Sequence, residues 1–186
     1  FPAGEPALPS DGTFWVVHEG RLTLDRGLRL LVEAARLLRS PRVRFLVIGG
    51  VPWKEAEWFA AQTTKDGTVD RFHLTRFLPY HQVPDWLRSG SAGLCLNQTP
   101  NALTGTPNKF FNYLRFGLPI LTLAHPIMGP IVRSADCGLE LARPGVPGEL
   151  ADAIDRLASD PDRVAKMSAA ASKLFADELN WERMED

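Results

Sequence analysis

At 186 residues the chain is long enough for one domain with a real hydrophobic core. Hydrophobic residues make up 45% and charged residues 23%, the balance of a soluble globular protein, and no apolar run approaches the roughly 20 residues that span a bilayer. The net charge of -1 provides no basic field to attract nucleic acid, and Cys95 and Cys137 are too few for a disulfide framework and lack metal-type spacing, which fits reduced, buried thiols in a cytoplasmic protein.

Residues 1–12 (FPAGEPALPSDG) are rich in Pro and Gly and are expected to be a linker, with the ordered domain over 13–180. Residues 13–19 (TFWVVHE) are apolar, aromatic and β-branched and predict a buried strand. A helix is expected over 24–38, where Leu28, Leu31, Ala35 and Leu38 share one face, with Thr23 as N-cap and Asp25 in the first turn. Residues 43–48 (VRFLVI) predict a second strand ended by Gly49-Gly50, followed by a helix over 53–65 and a third strand over 69–74. A short helix at 81–87 leads to a fourth strand at 92–96. A helix over 107–116 then starts with Pro107 at its first position and stops at Gly117. Strands are expected at 119–123 and 138–141, then helices at 148–158 and 162–176. Residues 181–186 read as a helix cut short without a stop signal, so the chain is expected to be a fragment.

Short buried strands alternating with helices predict a doubly wound α/β domain: a mostly parallel sheet covered on both faces. Ligands of such sheets bind in the crevice beyond the carboxyl ends of the strands. Two loops there carry cations where the helix dipole disfavours them: Arg21 and Arg26 around one helix start, Lys109 in the first turn of another. One such cation is ordinary surface chemistry. The same misplacement in two crevice loops points to an anion completing both, and guanidinium, ammonium and free N–H groups suit a diphosphate.

Between these loops, residues 97–108 (NQTPNALTGTPN) are small and polar. Taken alone, the stretch fits either an ordinary loop with a cap at Thr106 or a surface that hydrogen-bonds sugar hydroxyls and phosphate oxygens, with Gly105 allowing close approach. Other sites are absent from the sequence: no GxGxxG, no Walker loop, no G-x-S-x-G elbow, and no metal-ligand spacing among His18, His73, His81 and His125. Carboxylates avoid the crevice loops, leaving no acid/base pair there.

Gly20-Arg21 with Arg26-Gly27 resembles the G-R-x4-K-G element of the retaining glycosyltransferases of family 4, with Arg in place of Lys. The run from Thr106 to Ile120 (TPNKFFNYLRFGLPI) resembles the family's P-x-K-x-F-E-Y-M-A-x-G-x-P-V-V segment. Phe77-Leu78-Pro79, Cys137-Gly138-Leu139 with Pro144-Gly145, and Asn180-Trp181 resemble further elements, in the family's order. The resemblance covers about 14–181 and implies the C-terminal, donor-binding half of a GT-B fold, a Rossmann-like domain whose partner, the N-terminal acceptor domain, is absent from this chain.

The resemblance implies that Arg21, Arg26 and Lys109 hold the diphosphate of a nucleoside diphosphate sugar, and that Phe77 and Leu78 lie against the base. It implies sugar contacts from Thr104, Gly105, Thr106 and Asn108, and ribose contact from Asn112. The family's E-x7-E pair falls on Thr104 and Asn112, so both carboxylates are replaced by neutral groups. The implied reaction transfers the sugar to an acceptor hydroxyl with retention, using no metal or cofactor and no nucleic acid. Any peripheral membrane association falls to the missing half, and this chain alone is expected to be inactive. Two other readings share the architecture. One is a non-catalytic nucleotide-sugar-binding or scaffold module, which the two lost carboxylates motivate. The other is a nucleotide-sugar epimerase, which needs carboxylates in the cleft.

Overall fold

The computed structural model describes residue 8 and residues 11–96, 99–143 and 145–180. Most of the expected linker, Asn97, Gln98, Pro144, Trp181 and the expected terminal helix over 181–186 lie outside the described residues. Among the described residues six strands form one sheet: β1 (Phe14–Glu19), β2 (Val43–Ile48), β3 (Phe72–Leu74), β4 (Ala92–Cys95), β5 (Ile120–Leu123) and β6 (Gly138–Leu141). Their order is β3-β2-β1-β4-β5-β6, and every pairing is parallel. The order reverses between β1 and β4. That is the switch point where the crevice of an open α/β sheet lies.

Parallel strands need crossovers, and these supply α1 (Leu28–Leu37), α2 (Trp53–Lys65), α3 (Val83–Arg88), α4 (Pro100–Leu103), α5 (Asn108–Arg115) and α6 (Met128–Ser134), while α7 (Pro147–Ser159) and α8 (Pro161–Asp177) follow β6 and pack back on the sheet. The central strands are buried on both faces, so their side chains feed two cores. Val16 and Phe45 pack with Leu28 and Leu31 of α1, Phe59 of α2 and Ile154 of α7. Val17 and Leu46 pack with Leu87 of α3, Phe110 and Leu114 of α5, Val132 of α6 and Ala171 of α8. No helix among the described residues is long and apolar enough to cross a membrane.

The first crossover helix starts later than its hydrophobic period suggests. Leu24–Arg26 is a single 3-10 turn, and Gly27, at φ 95°, separates it from α1. Only glycine fits there, because a Cβ on Gly27 would lie 2.7 Å from that of Leu96. Thr23 therefore does not cap with its side chain. Its hydroxyl bonds the Asp25 carboxylate, and its carbonyl accepts the N–H of Arg26 and of Leu28, both at 3.0 Å. Arg26 thus precedes the helix instead of sitting in its first turn.

Other boundaries shift for similar local reasons. Pro107 is the N-cap of α5, with extended backbone (ψ 147°), rather than its first residue. The third strand shortens because Val69–Arg71 forms a 3-10 turn, and the Arg71 guanidinium turns back to the carbonyls of Ser40 and Val43 at 3.0 and 3.2 Å. Tyr80–Gln82 is likewise a 3-10 turn ahead of α3. Two short helices, α4 and α6, occupy segments to which the sequence pattern assigns no helix. Pro130 and Gly129 disguise α6 in the sequence, yet Pro130 falls in the first turn, where its missing N–H costs nothing. The His125 Nδ1 accepts the N–H groups of Ile127 and Met128 at 3.2 and 3.1 Å and so satisfies that helix start.

Candidate functional site at the switch point

The carboxyl end of β1 delivers His18, Glu19, Gly20 and Arg21 to the crevice, and the start of α5 faces them. Lys109 is half-buried, and its Nζ lies 3.3 Å from the His18 Nε2. Lysine has no lone pair to offer, so the Nε2 is the acceptor and the imidazole proton sits on Nδ1. Burial, then the Lys109 charge beside it, pushes the His18 pKa well below its usual 6.5, and the ring is neutral. Burial also lowers the Lys109 pKa; the Glu19 charge opposes that shift and the Arg26 charge adds to it. Gly20 turns the chain beside this ammonium with a left-handed backbone, φ 94°, that favours glycine.

Arg26 and Lys109 face one cavity of about 170 Å³, closed by Leu96, Ala102, Pro107 and Met128. Arg21 lines a neighbouring cavity of about 330 Å³ with Asp25, Trp53, Lys54 and, again, Arg26. The three cations therefore meet pairwise through Arg26 rather than in one pocket. Among the described residues, Arg21, Arg26 and Lys109 make no salt bridge within 4.0 Å; other surface cations share that lack, and what sets these three apart is their position at the crevice. Arg26 and Lys109 beside the N-terminus of α5, with Arg21 in the adjoining cavity, form a field suited to a multiply charged anion.

The crevice loops themselves carry no carboxylate, but the strand end beside them does. Glu19, the last residue of β1, is half-buried there, and the Asn112 side-chain amide donates to both of its oxygens, at 2.9 and 3.1 Å. Burial raises the Glu19 pKa, while Asn112 and Lys109 hold the rise in check. The Glu19 backbone N–H donates to the Tyr113 hydroxyl at 2.8 Å, and that fully buried hydroxyl lies 3.2 Å from the Val17 carbonyl. Nothing in the local sequence marks Glu19, which reads as the polar end of an apolar strand; its partner is 93 positions away.

Phe77 and Leu78 lie in a separate cavity of about 590 Å³ after β3, with Thr75, Arg76, Gln82 and Trp86; Phe77 is 87% exposed. Thr104, Gly105 and Asn108 are exposed and Thr106 is half-buried, on the segment joining α4 to α5. None of these four lines the cavity shared by Arg26 and Lys109. His125 fastens the near end of this segment: with Nδ1 engaged as acceptor, its Nε2–H donates to the Ala102 carbonyl at 2.9 Å. A further cavity of about 400 Å³, around Thr13, Phe14, Ser91 and Pro119, sits at the amino ends of the strands, away from these groups. Both cysteines are buried and free, and burial pushes the Cys95 thiol up to about 12, so it is protonated. Among the described residues no group of three or more His, Cys, Asp and Glu is placed to hold a metal ion.

Residues 13–160 match the family model "Glycosyl transferases group 1". A 2-deoxystreptamine glucosyltransferase of Streptomyces kanamyceticus is 29% identical over 174 residues, which cover 92% of this chain and 43% of that protein. The chain spans less than half the length of the curated relatives it matches. Among solved structures, Anabaena HepE in complex with UDP superposes with a TM-score of 0.79 at 19% identity, over 91% of this chain and 45% of that one. The C-terminal domain of the group 1 glycosyl transferase LpcC from Francisella tularensis gives a TM-score of 0.78 at 16% identity, over 90% of this chain and 87% of that domain. The fold is therefore that of the C-terminal halves of GT-B glycosyltransferases.

Proposed function

The chain belongs to the family Glycosyl transferases group 1, and from that membership we propose that it is the donor-binding half of a retaining glycosyltransferase of family 4. It holds a nucleoside diphosphate sugar at the β1–β4 switch point, and a second domain presents the acceptor hydroxyl. The observation that carries this reading is the set of unpaired cations, Arg21, Arg26 and Lys109, at the carboxyl end of β1 and the start of α5. The solved relative HepE binds UDP and UDP-glucose, the chemical class this cradle fits.

In the proposed reaction the acceptor oxygen attacks the anomeric carbon, the bond from that carbon to the diphosphate oxygen breaks, and the acceptor proton leaves to a base. Negative charge grows on the departing diphosphate. Lys109, half-buried, the exposed Arg26 and Arg21, and the N–H groups that open α5 oppose that charge and stabilise it electrostatically. In this reading the segment carrying Thr104, Gly105, Thr106 and Asn108 meets the sugar, and Phe77 with Leu78 meets the base. Acceptor choice, and any association with a membrane, reside in the other half.

The test is calorimetric titration of the chain with UDP, GDP and ADP, alongside Arg21→Ala and Arg26→Ala. Each lost charge-assisted contact weakens binding by about 10- to 150-fold. Equal affinities for parent and variants would overturn the assignment. Thr104, neutral where the family has a carboxylate, favours the second reading of a non-catalytic binding module; donor-dependent sugar transfer by the full-length protein would exclude it.

A further inference from the structure

We infer that Glu19 is the group that selects the ribose of the bound nucleotide, taking its vicinal hydroxyls on a carboxylate that Asn112 holds in place. The inference rests on the donor-site reading and adds to it a residue that the family resemblance does not supply.

Glu19 stands two positions before Arg21 and next to His18, at the strand end where the cations gather. A carboxylate beside a diphosphate cradle repels the phosphates, so it belongs there only if a neutral donor meets it. It is not a partner for the cations: among the described residues no Lys or Arg reaches it within 4.0 Å. What does reach it is one neutral amide, Asn112, bonded to both oxygens at 2.9 and 3.1 Å. That bond leaves the negative charge in place and fixes the plane of the carboxylate.

An ionised carboxylate offers about four lone-pair directions, and Asn112 occupies no more than two. Two adjacent acceptors with free lone pairs match two adjacent O–H donors, which is the geometry of a vicinal diol. In a nucleoside diphosphate the ribose diol sits one sugar ring away from the phosphates that Lys109 would bind, and Lys109 is close enough to Glu19 for each to shift the other's titration. The resemblance puts ribose contact on residue 112 itself, where this chain has a neutral amide. The structure brings a carboxylate to that same place from β1, with Asn112 as its positioning residue. The Glu19 main chain is also fixed, because its N–H is bonded to the buried Tyr113 hydroxyl at 2.8 Å.

The experiment compares the chain's affinity for whichever of UDP, GDP and ADP it binds best with that for the 2′-deoxy counterpart. It uses the parent, the near-isosteric Glu19→Gln, and the exchange Glu19→Gln with Asn112→Glu. The parent should prefer the ribonucleotide by about tenfold or more. Glu19→Gln should bring the two within about twofold, and the exchange should restore the preference by returning a carboxylate to the same spot. Thermal melts of each variant confirm folding; if Glu19→Gln does not fold, Asn112→Leu, which frees the carboxylate without deleting it, should reduce the preference instead. Glu19→Gln keeping the parental preference overturns the inference and leaves the donor site standing. So does an effect seen only with the nucleotide sugar and not with the bare diphosphate, which would assign Glu19 to the sugar. A parent that binds no nucleoside diphosphate overturns the donor-site reading, and this inference with it.

Discussion

Lys109→Met should separate ligand binding from fold stability. The Lys109 ammonium is half-buried, bonded at 3.3 Å to the neutral His18 ring and repelled by Arg26, and it has no carboxylate within 4.0 Å. Removing it takes one charge-assisted contact from a bound diphosphate, about 1.5–3 kcal/mol, or about 10- to 150-fold in the dissociation constant. Stability without ligand has opposing contributions. Loss of the His18 bond costs about 1 kcal/mol, and release of a poorly solvated cation returns a similar amount, so the net change stays within about 1 kcal/mol. For a domain of this size that is about 2–4 °C in Tm. Calorimetry with UDP gives the first quantity and a thermal melt without ligand gives the second. Unchanged affinity, or an affinity loss matched by a large fall in Tm, would refute the reasoning that this lysine is held ready for an anion at no great gain to the fold.

Gly27→Ala forces a side chain into the left-handed region against Leu96 and should cost about 1–3 kcal/mol, read as a shift of the urea midpoint; an unchanged midpoint would mean the turn relaxes freely. Tyr113→Phe removes the acceptor of the Glu19 N–H from a fully buried site and should destabilise by about 1–3 kcal/mol, and a loss under about 0.5 kcal/mol would show that another group takes its place. The neutral, buried His18 makes stability depend on pH in a defined direction. Below its ordinary value of 6.5 the unfolded chain binds a proton that the folded chain refuses, so stability falls as pH drops, by up to about 1.4 kcal/mol per pH unit until the folded group titrates. His73, lowered by burial, adds in the same direction, and Glu19, raised by burial, acts in the opposite direction as it titrates, so the informative quantity is the difference between parent and His18→Gln. That variant should show a shallower acid slope just below pH 6.5, and parallel curves would contradict the assignment of a neutral imidazole.

The layered fold was legible because its signals are local. Apolar runs such as VRFLVI and AGLC end at Gly or a polar loop, and α2 and α7 lie within a residue of where their periodicity puts them. Where a backbone conformation or a distant partner decides, the sequence says less. Gly27 breaks the first crossover helix because Leu96 approaches it, and the start of α6 depends on an imidazole three residues upstream. The site divides in the same way. Cations at helix starts violate a local electrostatic preference and stand out in one dimension. Glu19 violates nothing until Asn112 is brought beside it, and that contact exists only once β1 and α5 have packed.

The loops that follow β1, β2 and β3 are not separate flaps. The Gly20 N–H reaches the Ile48 carbonyl at 2.7 Å, the Leu22 N–H reaches Gly50 at 3.0 Å, and a Cβ on Gly49 would lie 3.0 Å from the Gly20 carbonyl carbon. The Gly49 N–H in turn reaches the Thr75 hydroxyl at 3.0 Å, and that hydroxyl donates to the Arg76 carbonyl at 2.9 Å. The result is a seam of hydrogen bonds running across the rim from Arg21 to the threshold of Phe77. A ligand gripping one end tugs on the other, so the proposed diphosphate and base subsites should report on each other: slowed amide exchange at Gly49 would register occupancy of either.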